Sequence, residues 1–302
     1  MKILILGKGQ IGQAYKEFFT AKNIESEIAE GVDIRKLDEV KNAITTLHAD
    51  IVINTAAKTN LDWCEMNQLE CFDTNTLGAD TVGKACQELG VYLVHVSTGC
   101  IQASSTPEEA HKETDPPTPT SFYSWTKYWA DEMLMLRHNR DGLKVLIVRP
   151  RQPVSAIASP RNAFTKMLTY NKFIDTPNSL TVVEDLLDVT AQLIEKNATG
   201  IYNVANPGVM SPYKVALLLK ELVKPDLEVN IISKDELNSM TYAKRIDSVL
   251  DTSKLESLGI TLKPAEQRLR EILPIFKENL ASHNEVLENT IKETEYKLNL
   301  VK

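Results

Sequence analysis

The chain has 302 residues, of which 43% are hydrophobic and 25% charged, and its formal net charge is −7. These values fit a folded chain with a sizeable core, in one large domain or two coupled ones, and disfavour nucleic acid as the main partner. No apolar run is long enough to span a membrane, and we expect no signal peptide because the chain enters a strand pattern at once. The four cysteines lack metal-site or disulfide-framework spacing, so we expect reduced thiols, no metal and a cytoplasmic protein.

The chain opens with a strand, a glycine-rich turn and a helix. An apolar run at 2–6 precedes the turn, and a helical pattern continues to Phe19. Glycines let the backbone approach a pyrophosphate, which sits at the positive end of a helix. A tight turn without a ligand has the same pattern, so the strand and helix around it decide the interpretation. The predicted cofactor contacts in the turn are Gly7, Gly9, Gln10, Ile11 and Gly12.

An acidic and basic segment follows a second predicted strand at 26–29. Glu30 suits a ribose hydroxyl, whereas Lys8, Arg35 or Lys36 suits a 2′-phosphate. We therefore expect a nicotinamide cofactor, and these residues leave the choice between NADH and NADPH open. The segment also contributes two predicted cofactor contacts, Asp33 and Ile34.

The next predicted strand, at 49–57, ends in small side chains. Small residues at the carboxyl end of a parallel strand leave room for a ligand in the crevice there. The cofactor contacts predicted around this end are Ala56, Ala57 and Lys58, together with Asn75 from the helix that follows.

A further apolar strand is predicted at 91–98, and hydroxyl residues end it. His95 lies inside this strand and is interpreted as a hydrogen-bonded core residue. If the extended conformation continues, Thr98 and Cys100 face the same way, because strand side chains alternate. Another strand at 144–149 completes an alternation of strands and helices. This alternation predicts an α/β fold with a doubly wound parallel sheet over residues 1–150.

A helix is predicted from about residue 121 to the region of Gly142, since the proline-rich stretch 116–119 cannot be helical and Thr120 or Ser121 can cap it. Tyr123 and Lys127 stand four apart and therefore share one helix face. A cation beside a phenol favours phenolate and would lower the tyrosine pKa from about 10. Such pairs also arise by chance on amphipathic helices.

The second half, 151–280, is predicted to form a smaller, mainly substrate-binding portion packed on the first. A long irregular stretch leads to Arg161 and Asn162, where a short helix carrying Lys166 begins. Helices are expected at 183–195 and 212–223, and strands at 200–206 and 228–232. The tail at 281–302 is predicted to be weakly helical.

The glycine turn, Thr98 at a strand end and the Tyr123/Lys127 pair together resemble an extended short-chain dehydrogenase/reductase with a Rossmann-like fold. Within that group, the segment 245–255 resembles dTDP-4-dehydrorhamnose reductases. The closer resemblance, over nearly the whole chain to about residue 280, is to bifunctional UDP-4-keto-6-deoxyglucose 3,5-epimerase/4-reductases of UDP-rhamnose synthesis. The motifs that carry it are Asp62-Trp63-Cys64-Glu65, Thr98-Gly99-Cys100-Ile101, Ser121-Phe122-Tyr123-Ser124, Pro160-Arg161-Asn162, Tyr170-Asn171-Lys172, Thr176-Pro177-Asn178-Ser179 and Asn206-Pro207-Gly208-Val209.

Two departures from the family pattern bear on function. Only Lys8 separates the first two glycines, where the family usually has two residues, so the phosphate contacts stay open. Gly99 and Cys100 stand where plain dehydrorhamnose reductases carry aspartate and tyrosine. The second departure favours an added epimerase activity.

The resemblance implies a nucleotide-sugar substrate and roles for individual residues. The cofactor habit of the family and the basic Lys8 together favour NADPH, with NADH as the alternative. Tyr123 and Thr98 would bind the ketone oxygen, and Lys127 the nicotinamide ribose. By residue type alone, Cys100 reads as an inert thiol and Lys166 as a solvated lysine, but the resemblance makes them the acid–base pair of epimerisation. The substrate contacts implied are Asn60, Arg161 and Asn162.

Two other functions are weighed against this bifunctional enzyme. One is a reductase alone, acting on dTDP-4-dehydrorhamnose or another nucleotide 4-keto-6-deoxy sugar. The other is a non-catalytic, dinucleotide-binding regulatory subunit, which the presence of Thr98, Tyr123 and Lys127 disfavours. The choice between UDP and dTDP stays open, as does a homodimer.

Overall fold

Six parallel strands form the central sheet of the computed structural model, which describes residues 1–104, 106, 108–282, 288 and 290. The strands of the chain are β1 Lys2–Leu6, β2 Glu25–Ile28, β3 Ile51–Asn54, β4 Tyr92–Val96, β5 Ala110–His111, β6 Val145–Pro150, β7 Pro153–Val154, β8 Lys172–Phe173, β9 Thr181–Val182, β10 Gly200–Val204, β11 Asn230–Ile231 and β12 Val249–Leu250. The order across the large sheet is β10-β6-β4-β3-β1-β2. The short strands pair as β11 with β8, β12 with β5 and β7 with β9.

Helices cover both faces of the sheet. The helices of the described residues are α1 Gln10–Ala21, α2 Leu37–Leu47, α3 Leu61–Met66, α4 Gln68–Phe72, α5 Gly78–Leu89, α6 Phe122–Asp141, α7 Ala163–Met167, α8 Val183–Glu195, α9 Pro212–Leu222, α10 Lys234–Ser239, α11 Ser253–Glu256 and α12 Ala265–Ala281. Helices α1 and α8 pack on one face, and α2, α5 and α6 on the other. The central strands β3, β4 and β6 are buried along their whole length, as expected for parallel strands covered twice. The predicted doubly wound α/β sheet is confirmed.

The carboxyl ends of the central strands differ from the prediction. β3 ends at Asn54 and β4 at Val96, both before the small and hydroxyl residues assigned to them. Those residues turn into loops at the carboxyl edge of the sheet, where crevices for ligands form in open α/β sheets. Hydrogen bonds to β6 nevertheless continue past Val96, from the Ser97 N–H to the Val148 carbonyl and from the Gly99 N–H to the Pro150 carbonyl, both at 2.8 Å, before the chain turns at Cys100.

A π-helical turn, Asp73–Leu77, joins α4 to α5. Asn75, expected in an ordinary helix, lies in this turn. Turns of this kind admit one extra residue and occur frequently at functional sites.

The beginning and end of α6 follow the local sequence signals. Ser121 caps the helix, because its hydroxyl accepts a hydrogen bond from the Ser124 N–H at 3.2 Å. Gly142 ends the helix in the left-handed conformation, with φ of 75°. Between these ends, Tyr123 and Lys127 are both buried on the inner face.

The second half contributes both to the large sheet and to a core of its own. β10 forms an edge of the sheet, and α8 is joined to α1 by a hydrogen bond of 2.7 Å between the Tyr15 and Thr190 hydroxyls. A separate apolar cluster gathers side chains from α7, α9 and α12. The division at residue 150 stays a prediction, and most of the predicted tail 281–302 lies outside the described residues. No helix in the described part of the chain is long and apolar enough to cross a membrane.

Candidate active site

The glycine turn brings the end of β1 against the loop after β3. Gly7 has φ of +104°, and a Cβ there would lie 2.7 Å from the Ala56 nitrogen. A Cβ on Gly12 would lie 2.0 Å from the Gly7 carbonyl oxygen. Both positions therefore require glycine, and the single-residue spacing around Lys8 still forms a tight strand-to-helix turn.

The first turn of α1 fits the pyrophosphate of a dinucleotide. Its N-cap, Gly9, offers no side-chain acceptor to the helix N–H groups. The Gln10 Nε2 atom is buried and has no hydrogen-bond partner within the part of the chain that the structure describes. Unpaired donors at a helix N-terminus are the groups that bind phosphate oxygens.

A crevice lies between the glycine turn and the segment 29–35, and three ion pairs lie around it. Lys8 pairs with Glu30, Lys58 Nζ lies 2.9 Å from Glu70 Oε1, and Arg35 donates to both Asp33 oxygens. The Arg35 guanidinium lowers the pKa of Asp33 to about 2. Cations and carboxylates are thus interleaved where a cofactor's adenosine end would lie, as the mixed segment predicted, and Ile34 and Ala56 line the same crevice.

Asn75 holds the loop that follows β3. Its Oδ1 accepts from the Lys58 N–H at 2.7 Å, and its Nδ2 donates to the Lys58 carbonyl at 2.9 Å. The same Nδ2 lies 3.1 Å from the Thr126 hydroxyl on α6. The Asn75 amide therefore lies between the Lys58 backbone and α6, and its contact with a cofactor stays a prediction.

Lys127 is buried at the end of β4. Its Nζ lies 3.0 Å from His95 Nε2 and donates to the Val96 carbonyl at 2.9 Å. Burial lowers the pKa of Lys127 to about 8, and the negative charge of Asp131 opposes that shift. The prediction that His95 is a hydrogen-bonded core residue is confirmed, since its side chain is 1% exposed.

Tyr123 lies at the same edge of the sheet, and its electrostatics differ from the prediction. Burial raises the pKa of Tyr123, the charge of Cys100 raises it further, and a side-chain hydrogen bond with Thr98 lowers it. The predicted lowering by Lys127 is wrong for this structure, because desolvation of the phenolate dominates and the Lys127 amine is directed to β4. Tyr123 is therefore a protonated hydrogen-bond donor at neutral pH.

Cys100 faces this site from the loop after β4. Its N–H donates to the Thr98 hydroxyl at 3.1 Å, which closes a turn, and its side chain packs with the apolar group around Tyr123. It is partly exposed, whereas Cys64, Cys71 and Cys86 are buried. Thr98, Cys100 and Tyr123, predicted to act together, are thus brought together.

Arg151 also belongs to this site and was missed by the sequence interpretation. Its Nη1 lies 2.7 Å from the Cys100 sulfur, although the two residues are 51 positions apart. The sequence did contain a signal, namely a charged residue shortly after the apolar strand predicted at 144–149. Charges that become buried are normally paired or functional.

The residues predicted to contact substrate lie at different depths. Asn60 is exposed and caps α3 by accepting from the Trp63 N–H at 3.1 Å. The Arg161 guanidinium lies against Gly9, since a Cβ there would be 3.5 Å from its Nη1. Asn162 is fully buried, where it donates to two carbonyls of its own loop and caps α7. Lys166 lies on α7 as predicted, and direct substrate contact by these residues stays a prediction.

The segment 245–250 closes the site from behind. Ser248 donates from its hydroxyl to the Gly99 carbonyl at 2.8 Å. Arg245 Nη2 lies 2.7 Å from Asp62 Oδ2 and so joins this segment to α3. The reductase-like motif in this segment therefore supports the loop that carries Cys100.

Comparison with known proteins agrees with this geometry. The family described as "RmlD substrate binding domain" matches residues 1–277. A bifunctional dTDP-4-dehydrorhamnose 3,5-epimerase/dTDP-4-dehydrorhamnose reductase from Arabidopsis thaliana is 32% identical over 265 residues, which are 84% of this chain and 86% of that protein. A trifunctional UDP-glucose 4,6-dehydratase/UDP-4-keto-6-deoxy-D-glucose 3,5-epimerase/UDP-4-keto-L-rhamnose-reductase from the same plant is also 32% identical, over 85% of this chain but only 39% of its own length.

Among solved structures, the L780 UDP-rhamnose synthase from Acanthamoeba polyphaga mimivirus superimposes with a TM-score of 0.82 and 27% identity. The match covers 91% of this chain and 99% of that one. The predicted Rossmann-like fold and the predicted relationship are confirmed. The chain belongs to the RmlD substrate binding domain family.

Proposed function

We propose that the chain is an NADPH-dependent nucleotide-sugar enzyme that inverts C3 and C5 of UDP-4-keto-6-deoxyglucose and reduces its 4-ketone to give UDP-rhamnose. The observation that carries the proposal is the meeting of Thr98, Cys100 and Tyr123 at the end of β4. A reductase needs a proton donor at the ketone oxygen, and an epimerase needs a base beside the same ring. One site here offers both.

Reduction rests on Tyr123 and Thr98. Bound NADPH would supply the hydride that adds to C4. Tyr123 is protonated, because burial raises its pKa, and so it can donate to the ketone oxygen as negative charge develops there. The Thr98 hydroxyl, already in contact with the phenol, would orient it and share the oxygen.

Epimerisation uses the same oxygen contacts. Loss of a proton from C3 or C5 places an electron pair on the ketone oxygen, where Tyr123 and Thr98 would stabilise it. Cys100 would remove or return the proton on one ring face and Lys166 on the other. The names of the two Arabidopsis relatives include a 3,5-epimerase, and the mimivirus neighbour is named a UDP-rhamnose synthase, which supports the proposal.

NADPH is proposed because two basic residues, Lys8 and Arg35, lie at the adenosine end of the crevice. Both are paired with carboxylates, so a 2′-phosphate would have to compete with Glu30 and Asp33. The unpartnered Gln10 amide and the glycine turn suit the pyrophosphate that NADPH and NADH share.

The test is incubation with UDP-4-keto-6-deoxyglucose and NADPH in deuterium oxide, with the products identified by NMR. We expect UDP-rhamnose carrying deuterium at C3 and C5. Cys100→Ser should lose exchange, since a hydroxyl is a far poorer base than a thiol, and should still oxidise NADPH with the epimerised ketone.

Reduction without exchange in the wild-type enzyme would replace the bifunctional proposal with a reductase alone. The parallel incubation with the dTDP-linked ketone decides which nucleotide the enzyme prefers. Absence of turnover with either nucleotide would contradict the proposed function altogether.

A further inference from the structure

Arg151 is a buried cation whose environment differs from that of its neighbour two positions earlier. Its side chain is enclosed, at 5% exposure, and a guanidinium keeps its charge in proteins. Buried charges are normally paired, because an isolated ion loses its hydration without compensation. Arg149 follows the rule, since its Nε lies 2.9 Å from the buried Asp131 carboxylate.

The hydrogen bonds of the Arg151 guanidinium go to two neutral oxygen acceptors and one sulfur. Nε and Nη2 donate to Asn178 Oδ1 at 3.2 and 2.6 Å, and Nη2 also donates to the Ile246 carbonyl at 2.5 Å. Nη1 donates to Cys100 Sγ at 2.7 Å. Among these partners, the sulfur is the group that can carry a full negative charge.

Neighbouring residues fix both partners of the contact between Arg151 and Cys100. A Cβ on Gly99 would lie 2.7 Å from Leu250 Cδ1 and 3.3 Å from Arg151 Cβ, so glycine permits the loop of Cys100 to approach. Asn178 is itself fixed, because its Nδ2 donates to Asp247 Oδ1 at 3.1 Å. The approach of the guanidinium to the sulfur is therefore built into three separate segments.

The charged and titratable groups that face the pair are few in the described structure. Tyr123 approaches Cys100 from α6 and is protonated, and Asp247 lies behind Asn178, where Lys234 pairs with it at 2.6 Å. Neither group neutralises Arg151 directly, which leaves Cys100 to do so.

We propose that Arg151 is the counter-ion of a Cys100 thiolate and, as a positioning residue, makes Cys100 the base of the epimerase. This step rests on the proposed function. The thiolate would take a proton from C3 or C5, the C–H electron pair would move to the ketone oxygen, and Lys166 would return a proton to the opposite face. The sequence is an isomerisation, so it needs no oxidant or reductant.

The test is the pH dependence of alkylation by iodoacetamide, a neutral reagent, followed at the Cys100 peptide by mass spectrometry. Cys100 is the accessible thiol, because the other three cysteines are buried. An ordinary thiol, such as N-acetylcysteine, slows roughly 100-fold from pH 9 to pH 6.5, since only its thiolate reacts. We expect wild-type Cys100 to slow less than tenfold over that range.

Arg151→Met should restore the steep pH dependence, with at least a tenfold lower rate at pH 6.5 and a similar rate at pH 9. Arg151→Lys, which keeps the charge, should retain part of the wild-type rate at pH 6.5. A purely structural role would alter the rate by the same factor at every pH. The circular-dichroism spectrum and the melting temperature of each variant check that it is folded.

Deuterium exchange links the pair to the sugar chemistry, and Arg151→Met should slow it at least tenfold. A wild-type alkylation profile as steep as that of N-acetylcysteine would overturn the proposal, even if Arg151→Met failed to fold. A shallow profile in a wild-type enzyme that exchanges no deuterium would overturn the epimerase function and support the ion pair.

Discussion

Lys127 Nζ lies 3.0 Å from His95 Nε2, and the other nitrogen of the same imidazole contacts Asn54 at the end of β3. Asn54 Oδ1 accepts from the Ala56 N–H at 3.1 Å, which directs its Nδ2 to His95 Nδ1 at 3.3 Å. Because Nδ1 then accepts, a neutral imidazole carries its proton on Nε2 and donates it to an uncharged Lys127 amine. The protonation state of Lys127 is therefore coupled to the tautomer of His95.

We expect His95→Leu to lower the rate of ketone reduction about tenfold, since one buried hydrogen-bonding group loses its partner at a cost of roughly 1–3 kcal/mol. Cofactor affinity should change less, because the glycine turn is untouched. The measurement is NADPH oxidation at saturating substrate, with His138→Leu as the control on α6, where His138 bonds the Leu143 carbonyl. Equal loss in both variants would contradict a specific role for His95.

The pH dependence of stability tests the burial of Lys127. Its pKa is lowered to about 8, whereas that of an unfolded lysine is about 10.4. Between these values the unfolded chain binds more protons, so the free energy of unfolding should rise with pH, by up to about 3 kcal/mol. Lys127→Met lacks this dependence, which makes it the reference.

The experiment is urea unfolding of the cofactor-free protein at several values between pH 7.5 and pH 9.5, below the range in which tyrosines titrate. The free energy of unfolding of the wild type minus that of Lys127→Met should increase toward high pH. A constant difference would show that Lys127 titrates normally in the folded protein.

Tyr123→Phe removes the proposed proton donor and should cut ketone reduction by a factor on the order of 10²–10⁴. Cofactor binding, measured by fluorescence titration, should survive. Tyr128→Phe, on the partly exposed side of the same helix, provides the matched control. Near-normal reduction by Tyr123→Phe would remove this residue from its proposed role.

In the proposed function, the choice of cofactor depends on competition between the 2′-phosphate of NADPH and the Glu30 carboxylate for Lys8. Lys8→Ala should weaken NADPH binding about three- to tenfold and leave NADH binding nearly unchanged, because an exposed charge contact contributes up to roughly 1 kcal/mol. Glu30→Gln should act oppositely, since it releases Lys8 for a 2′-phosphate. Dissociation constants for both cofactors, at one salt concentration, decide the matter. A wild-type preference for NADH would overturn the proposed cofactor.

Sequence reasoning succeeds here where the determining interactions are local. The glycine turn, the Ser121 cap and the Tyr123/Lys127 spacing each depend on residues within one or two helical turns, and their signals survive folding. The Arg151–Cys100 contact joins residues 51 positions apart, and the pKa of Tyr123 depends on burial. Neither could be predicted, because periodicity does not specify which loops meet or how much water they exclude.

The π-helical turn at Asp73–Leu77 makes chain length, as well as residue identity, a condition of the site. Such a turn holds one more residue than an α-helical turn, so deleting one residue there would produce a continuous helix from α4 to α5. The two parts would then rotate by about 100° relative to each other, and Asn75 would turn away from the Lys58 backbone. A single deletion in this turn would thus remove the support of the loop after β3 as thoroughly as loss of the Asn75 amide itself.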